Sequence, residues 1–141
     1  MSSDANDFAR SMGIATSALR AQSGRMRVIS ENIANADSTA PTAGGDPYRR
    51  KVPTFSSALD RALDAKVVSL GKIRTDQSAF NVKYEPSNPA ADASGNVKYP
   101  NVNPMVEMTD MREAQRSYEA NLNIISATRR MIQRTLDILK T

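Results

Sequence analysis

Residues Asn103 to Thr141 read NPMVEMTDMREAQRSYEANLNIISATRRMIQRTLDILKT, and this stretch predicts one long helix that is buried on more than one side. Met108, Met111, Gln115, Tyr118, Leu122, Ile125, Arg129, Ile132, Leu136 and Leu139 alternate steps of three and four, the spacing of a heptad seam. Only Gln115 and Arg129 interrupt it, and isolated polar residues in a seam can fix register at a cost in stability. A second row, Ala114, Asn121, Ile124, Met131 and Ile138, lies about 110° around the same cylinder at ~3.6 residues per turn. One partner helix cannot cover both rows. Asn103 is a suitable N-cap and Pro104 suits the first helical position, where its missing N–H costs nothing. No Gly or Pro comes after it as far as Thr141. Glu107, Asp110, Glu113 and Glu119 fall in the first half and Arg129, Arg130, Arg134 and Lys140 in the second, the favourable sense for the helix dipole. Otherwise these charges read as a solvated face.

The opposite end of the chain repeats the pattern. Met1 to Asn6 is polar, with Ser3 or Asp4 able to cap a helix starting there. Phe8, Met12, Ala15, Leu19, Gln22, Met26, Ile29, Ile33 and Ala36 then step by four and three without a slip, predicting a second long helix. Its side row is Ile14, Ala18, Ala21 and Val28. Ala15, Ala18, Ala21 and Gly24 permit close approach of another backbone. At roughly 1.5 Å per residue each helix is about 50 Å long.

Between them the chain changes character. Ala36 to Gly45 carries Asp37, Ser38, Thr39, Pro41 and Gly44-Gly45 and reads as a loop. Tyr48 to Val52 can extend as a strand, with Pro53 confining it to an edge. Arg49, Arg50 and Lys51 read first as a solvated turn, then as a protein interface, with phosphate or polysaccharide contact behind. Ser56 to Ala65 has a weak helical pattern through Leu59 and Leu63. Val67 to Ile73, Phe80 to Tyr84 and Asn96 to Tyr99 are β-prone, and turn-rich Glu85 to Gly95 joins the last two as a hairpin.

The fold class predicted is mainly α: helices over residues 1–36 and 103–141 paired as an antiparallel coiled-coil hairpin, with residues 37–102 forming a loop and a small irregular or β-hairpin insert. In that pairing the intramolecular seam consists of Met12, Leu19, Met26, Ile29 and Ile33 on one helix, and of Met111, Tyr118, Leu122, Ile125, Ile132 and Leu136 on the other. Both side rows are left over, and contiguous apolar surface of that size marks an interaction site. Ile14, Ala18, Ala21, Val28, Ile124, Met131 and Ile138 are therefore expected between subunits. The amides of Asn32, Asn35 and Asn121 are candidates for hydrogen bonds there, with local capping the rival reading for Asn35. Head-to-tail contacts of this kind propagate as a helical array. A lone hairpin with half its apolar surface in water is marginal, so the termini are expected to order on docking.

Composition removes most other functions. The chain has no Cys and no His, which excludes disulfides, thiol nucleophiles, imidazole bases and the usual zinc ligands. No metal or cofactor is expected. Asp60 with Asp64 has helical spacing but no third group or cleft signature, and Gly44-Gly45 falls far short of a phosphate loop. The net charge of +4 divides into +1 for residues 1–36 (4 basic, 3 acidic), +2 for 37–104 (9 and 7) and +1 for 105–141 (6 and 5). With no basic arm, Tyr48, Tyr84 and Tyr99 have no stripe on which to stack bases, and nucleic acid is not an expected partner. No run of 18 apolar residues predicts membrane insertion, and no apolar core with a small-residue site after it predicts a cleaved signal.

A heptad helix at each end around a small β-rich insert resembles the axial proteins of the bacterial flagellum. The motif that carries the resemblance is Ser30-Glu31-Asn32-Ile33-Ala34-Asn35-Ala36, continuing through Thr39 to Pro47-Tyr48-Arg49-Arg50-Lys51. Tyr99-Pro100-Asn101-Val102-Asn103, Glu107-Met108-Thr109-Asp110-Met111 and Ser117-Tyr118-Glu119-Ala120-Asn121 add to it and, with the short length, point to the proximal rod proteins. One departure is Asn88, where a His is expected before the second Pro of Tyr84–Pro89. The resemblance implies a structural subunit of the basal body, exported through the flagellar type III apparatus and polymerised in the periplasm into the drive shaft that carries torque to the distal rod. Its implied partners are other proximal rod proteins, the rod-base adaptor, the distal rod protein and copies of itself. The competing reading is a soluble coiled-coil adaptor or secreted effector that binds one partner helix. A nucleic-acid-binding hairpin or a peptidoglycan enzyme stands further back.

Overall fold

The computed structural model describes residues 2–139, with side chains from 6 to 138. The proposed caps Ser3 and Asp4, the seam residue Leu139, and Lys140 with Thr141 lie outside the described side chains. The elements run in the order α1 (Ser2–Ala34), β1 (Lys51–Val52), β2 (Phe55–Asp60), β3 (Ala65–Leu70), β4 (Arg74–Thr75), β5 (Asn81–Tyr84), β6 (Asn96–Tyr99) and α2 (Pro104–Leu139). Two long helices with a small β insert is the architecture expected.

The helix ends show why they fall where they do. The Asn103 side-chain oxygen accepts from the amides of Met105 and Val106 at 3.0 and 3.4 Å, satisfying two N–H groups that the first turn leaves open. Asn103→Ala is expected to cost about 1 kcal/mol, read as a lower urea midpoint at unchanged slope. α1 begins earlier than expected, at Ser2 rather than after a polar cap; acidic Asp7 near this end suits the dipole. It also stops short of Ala36. The Asn35 amide donates to Glu31 and Asn32 carbonyls, its side-chain nitrogen donates to the Glu31 carbonyl at 2.8 Å, and Ser38 Oγ donates to the Asn35 carbonyl. The last carbonyls are thus met locally, and the chain turns.

The chain divides into two compact units. One comprises Met1–Met26, Thr54–Lys72 and Glu113–Thr141. In it β2 and β3 pair antiparallel from Phe55 opposite Leu70 to Asp60 opposite Ala65. This corrects the helical reading of Ser56 to Ala65. The Leu59/Leu63 spacing is overridden by a turn: Asp60 Oδ1 accepts from the amides of Ala62 and Leu63, and Asp64 adopts a left-handed φ of 46°, a conformation Asp tolerates better than most residues. Across the ladder Val67 and Val68 supply β-branched side chains, and Ser56 and Ser69 pair through their hydroxyls at 2.9 Å. This hairpin lies over α1: Arg10 Nε donates to the Leu63 carbonyl at 2.9 Å, and the Val68 amide donates to Ser17 Oγ at 3.4 Å. Leu63 sits where a side chain on Gly13 would be, and a Cβ on Gly24 would meet Leu70 Cδ2 at 2.7 Å. The small residues of α1 admit two leucines.

The other unit comprises Arg27–Pro53 and Ile73–Arg112. Here β1 pairs with β4 over two positions, Lys51 with Thr75 and Val52 with Arg74, and ends before Pro53, while β5 and β6 form the expected hairpin. Its turn is ordered by Asn88, whose side chain donates to Glu85 and accepts from the Ala90 amide. The Asn88 departure from the family pattern is absorbed there. Val97, Val102 and Pro100 are buried in this unit.

Candidate functional site

In the unit built from Arg27–Pro53 and Ile73–Arg112 the motif segments of the sequence converge on one buried polar cluster. Asn32, near the end of α1, is fully buried and makes four hydrogen bonds. Its side-chain nitrogen donates to the Lys51 carbonyl at 2.8 Å and to Glu107 Oε2 at 3.1 Å; its oxygen accepts from the Tyr48 hydroxyl at 2.8 Å and the Lys51 amide at 2.9 Å. Glu107, in the first turn of α2, is only 1% exposed. Its other oxygen accepts from Arg50 Nε at 2.6 Å. The Arg50 guanidinium also lies 3.7 Å from Asp76 and 3.8 Å from Asp110, and the Arg50 amide donates to Asn101 Oδ1 at 2.8 Å. Asn101 in turn donates to Ser78 Oγ and the Asp76 carbonyl. A buried carboxylate is tolerable only when paired and hydrogen-bonded, and here both conditions hold.

The basic run is therefore not a solvated turn. Arg49 stacks its guanidinium 4.0 Å from the centre of the Phe80 ring, and Lys51 Nζ pairs with Glu31. Burial first, then the Glu31 and Glu107 carboxylates, push the Tyr48 phenol from 10.0 up to about 12. Because the folded chain holds this proton more tightly than the unfolded chain, the Tyr48 contribution to stability is complete below pH 10 and is lost as pH rises toward 12. Urea unfolding across that window should show the decline, and Tyr48→Phe should make it shallower.

α2 places its rows differently from the sequence reading. Met111, Tyr118, Ile125 and Ile132 are half-buried. The row beside them that points inward is Glu107, Ala114, Asn121 and Thr128, with Ala114 at 0% and Thr128 at 2% exposure. Leu122 and Leu136, expected in the seam, are each 46% exposed, and Gln115, Arg129 and Met108 lie on the same outer side. Ile124 at 46% and Met131 at 49% are exposed on the other flank of the inward row, and Ile138 is exposed too. Asn121 uses its side-chain nitrogen locally, donating to the Ser117 carbonyl at 2.8 Å. The inward row is the more polar of the two, which hydropathy ranks the wrong way.

On α1, Met12, Leu19, Met26 and Ile33 are half-buried and Ile29 is buried. Ile14 is exposed and Ala18 half-buried. Ala21, Val28 and Asn32, expected to meet neighbouring subunits, are instead closed within the chain. The reason is the insert: β2–β3 covers the α1 face that holds Gly13, Ser17 and Ala21, and Asn32 is consumed by the polar cluster. Asn35 is occupied by the local bond to Glu31. Ser30 and Ala34 are exposed. Among the described residues no group of three or more acidic side chains is placed to hold a metal ion, and no helix is long and apolar enough to cross a membrane.

Residues 12–40 match the model of the flagella basal body rod protein family, and residues 93–138 match the flagellar basal body rod FlgEFG protein C-terminal family. These segments contain Asn32 and Glu107, the two ends of the cluster. Over most of its length the chain is also 54% identical to the flagellar basal-body rod protein FlgC of Agrobacterium fabrum, covering 90% of this chain and 91% of that one. The chain belongs to the FlgC family. Identity is 41% to the FlgC of Bacillus subtilis (92% of this chain, 97% of that one) and 40% to that of Salmonella typhimurium (89% and 92%). As a FlgC-family member it is a structural flagellar rod protein of the basal body and not an enzyme. Tyr48, Arg50, Lys51 and Asn101 are thereby given a physical role: Tyr48 and Lys51 satisfy the buried Asn32, Arg50 satisfies the buried Glu107, and Asn101 holds the Arg50 backbone.

Proposed function

We propose that this chain is a subunit of the proximal rod that is exported through the flagellar type III apparatus and polymerises in the periplasm. There it forms, with other proximal rod proteins, the rod-base adaptor, the distal rod protein and copies of itself, the shaft that transmits torque outward. The observation that carries this reading is on α2, where Leu122 and Leu136 on one flank and Ile124 and Met131 on the other each keep close to half of their surface in water. Burying such side chains against a neighbour is worth about 1.5–3 kcal/mol each at full burial, so they are a source of association energy that the lone chain leaves unused.

Antiparallel pairing of α1 and α2 is part of the proposal. What supports a pairing of the two helices is one link inside each unit: Arg25 Nη2 lies 3.3 Å from Glu113 Oε2 in the first, and Asn32 bonds Glu107 in the second. Ordering of the helix ends on docking is supported by the thin cover of residues 129–138, where Ile132 alone is even half-buried, since helices draw most of their stability from packing. A density map of the intact basal body at side-chain resolution tests the assembly reading. Leu122, Ile124 and Met131 are expected against adjoining chains; finding all three in solvent overturns it.

A further inference from the structure

The β2–β3 hairpin is covered along one edge and open along the other. The Gly71 amide donates to the Thr54 carbonyl at 2.6 Å, which makes Thr54–Gly71 a hydrogen-bonded pair. Such pairs alternate along an antiparallel ladder, so Ser56–Ser69, Ala58–Val67 and Asp60–Ala65 are the others in this register. The Val68 backbone therefore faces away from β2, and there its amide meets Ser17 Oγ of α1 at 3.4 Å. By the same parity the N–H and C=O groups of Phe55, Ser57 and Leu59 point outward from β2. Among the described residues, no hydrogen bond satisfies them. Residues 55–59 are exposed throughout, with Phe55 at 45% and Leu59 at 60%. Edge strands are ordinarily blunted by a charge, a proline or a bulge. From Phe55 to Leu59 this one has none of the three.

The open row is complementary to itself. Outward-facing residues bond only to outward-facing residues, and the antiparallel register between two copies that uses all three is centred on Ser57. It sets Phe55 opposite the partner's Leu59, Ser57 opposite the partner's Ser57, and Leu59 opposite the partner's Phe55. Each of these pairs exchanges two backbone hydrogen bonds, and at both ends two apolar side chains that otherwise stand in water come into cross-strand contact. Asp60, the one charged residue of β2, falls opposite the partner's Thr54, so no like charges meet. We propose that β2 is a self-pairing edge, through which two copies of this chain join as a twofold-symmetric sheet of order β3–β2–β2–β3. The inference stands on the ladder of one hairpin and is independent of the assembly reading above. An isologous pair closes at two copies. It seals a row of backbone groups that would otherwise serve as a template for any extended segment.

Because the chain has no cysteine, single cysteines read this register in the full-length protein. Directly opposed residues lie about 5.5 Å apart between Cα atoms in a hydrogen-bonded pair and about 4.5 Å in the other kind, both within disulfide reach. Diagonal neighbours, at about 7–8 Å, lie at the limit of that reach or beyond it. Ser57→Cys is therefore expected to form a disulfide-linked dimer under mild oxidation about tenfold faster, or more, than Ser56→Cys, although both positions are exposed. Ser56→Cys mixed with Ala58→Cys should give the mixed dimer in preference to either symmetric one. Adding Phe55→Lys and Leu59→Lys to Ser57→Cys sets lysine opposite lysine at both ends of the pair. Both side chains are exposed and their backbone groups stand outside the β2–β3 ladder, so urea unfolding should be unchanged while dimer formation falls to the Ser56→Cys rate. Equal rates for Ser57→Cys and Ser56→Cys overturn the proposal, as does a mixture without preference for the mixed dimer or a lysine variant that cross-links at the full rate. So does a disulfide of Ser57→Cys to a different protein in cells with none to its own copy, which assigns the edge to another chain's strand.

Discussion

Met131→Asp is expected to abolish swimming and to stop basal-body construction at the rod, while the variant chain is still exported. In the free chain Met131 is about half in water, so an aspartate there meets solvent, and surface substitutions away from special features change stability by no more than about 0.5 kcal/mol. If the assembly reading holds, the same carboxylate leaves water against apolar side chains in the rod, which costs several kcal/mol per contact. A polymer repeats the contact at every subunit. Ile124→Asp should behave alike. Asn123→Asp, at an exposed polar position next to Ile124 in sequence but on a different side of the helix, should swim normally and controls for added charge on α2. Urea unfolding of the purified variants should match the unsubstituted chain. If Met131→Asp and Ile124→Asp both build motile flagella, the outer side of α2 is not an interface.

Asn32→Ala is expected to destabilise the unit containing Arg27–Pro53 and Ile73–Arg112 by about 3 kcal/mol or more. The change leaves the Tyr48 hydroxyl, the Lys51 amide and the Lys51 carbonyl without their partner and takes one bond from the Glu107 carboxylate. Each buried group left unpaired costs about 1–3 kcal/mol, partly relieved where water enters. Asn32→Asp is not a rescue: it keeps an acceptor for Tyr48 and Lys51 but sets a second carboxylate beside Glu107, and like charges there are penalised. Amide hydrogen exchange gives the measurement, with the Lys51 amide losing protection first. A change within about 0.5 kcal/mol would show that water substitutes fully for the Asn32 side chain.

Much of this molecule could be read directly from its residues. The heptad spacing set both long helices, Asn103-Pro104 marked the start of α2, and Asn96 to Tyr99 with the turn before it marked the β5–β6 hairpin. The misses share one cause, tertiary partners distant in sequence. Leu59 and Leu63 keep helical spacing, but the Asp60 turn and the cover offered by α1 decide for a hairpin. Ala21 and Val28 look like leftover surface only when the insert is imagined apart from the helices. Glu107 reads as a charge that suits a helix dipole, and Arg50 as a solvated turn residue, because nothing in either segment announces the other. One signal was available: Glu107, Ala114, Asn121 and Thr128 keep heptad spacing as a row of small or polar residues.

The uninterrupted length of α2 has a mechanical consequence. Its 36 residues span about 54 Å with no Gly or Pro beyond the first position, so it holds none of the residues at which helices usually kink. A load applied at one end is carried as distributed elastic strain, the behaviour of a beam without a joint.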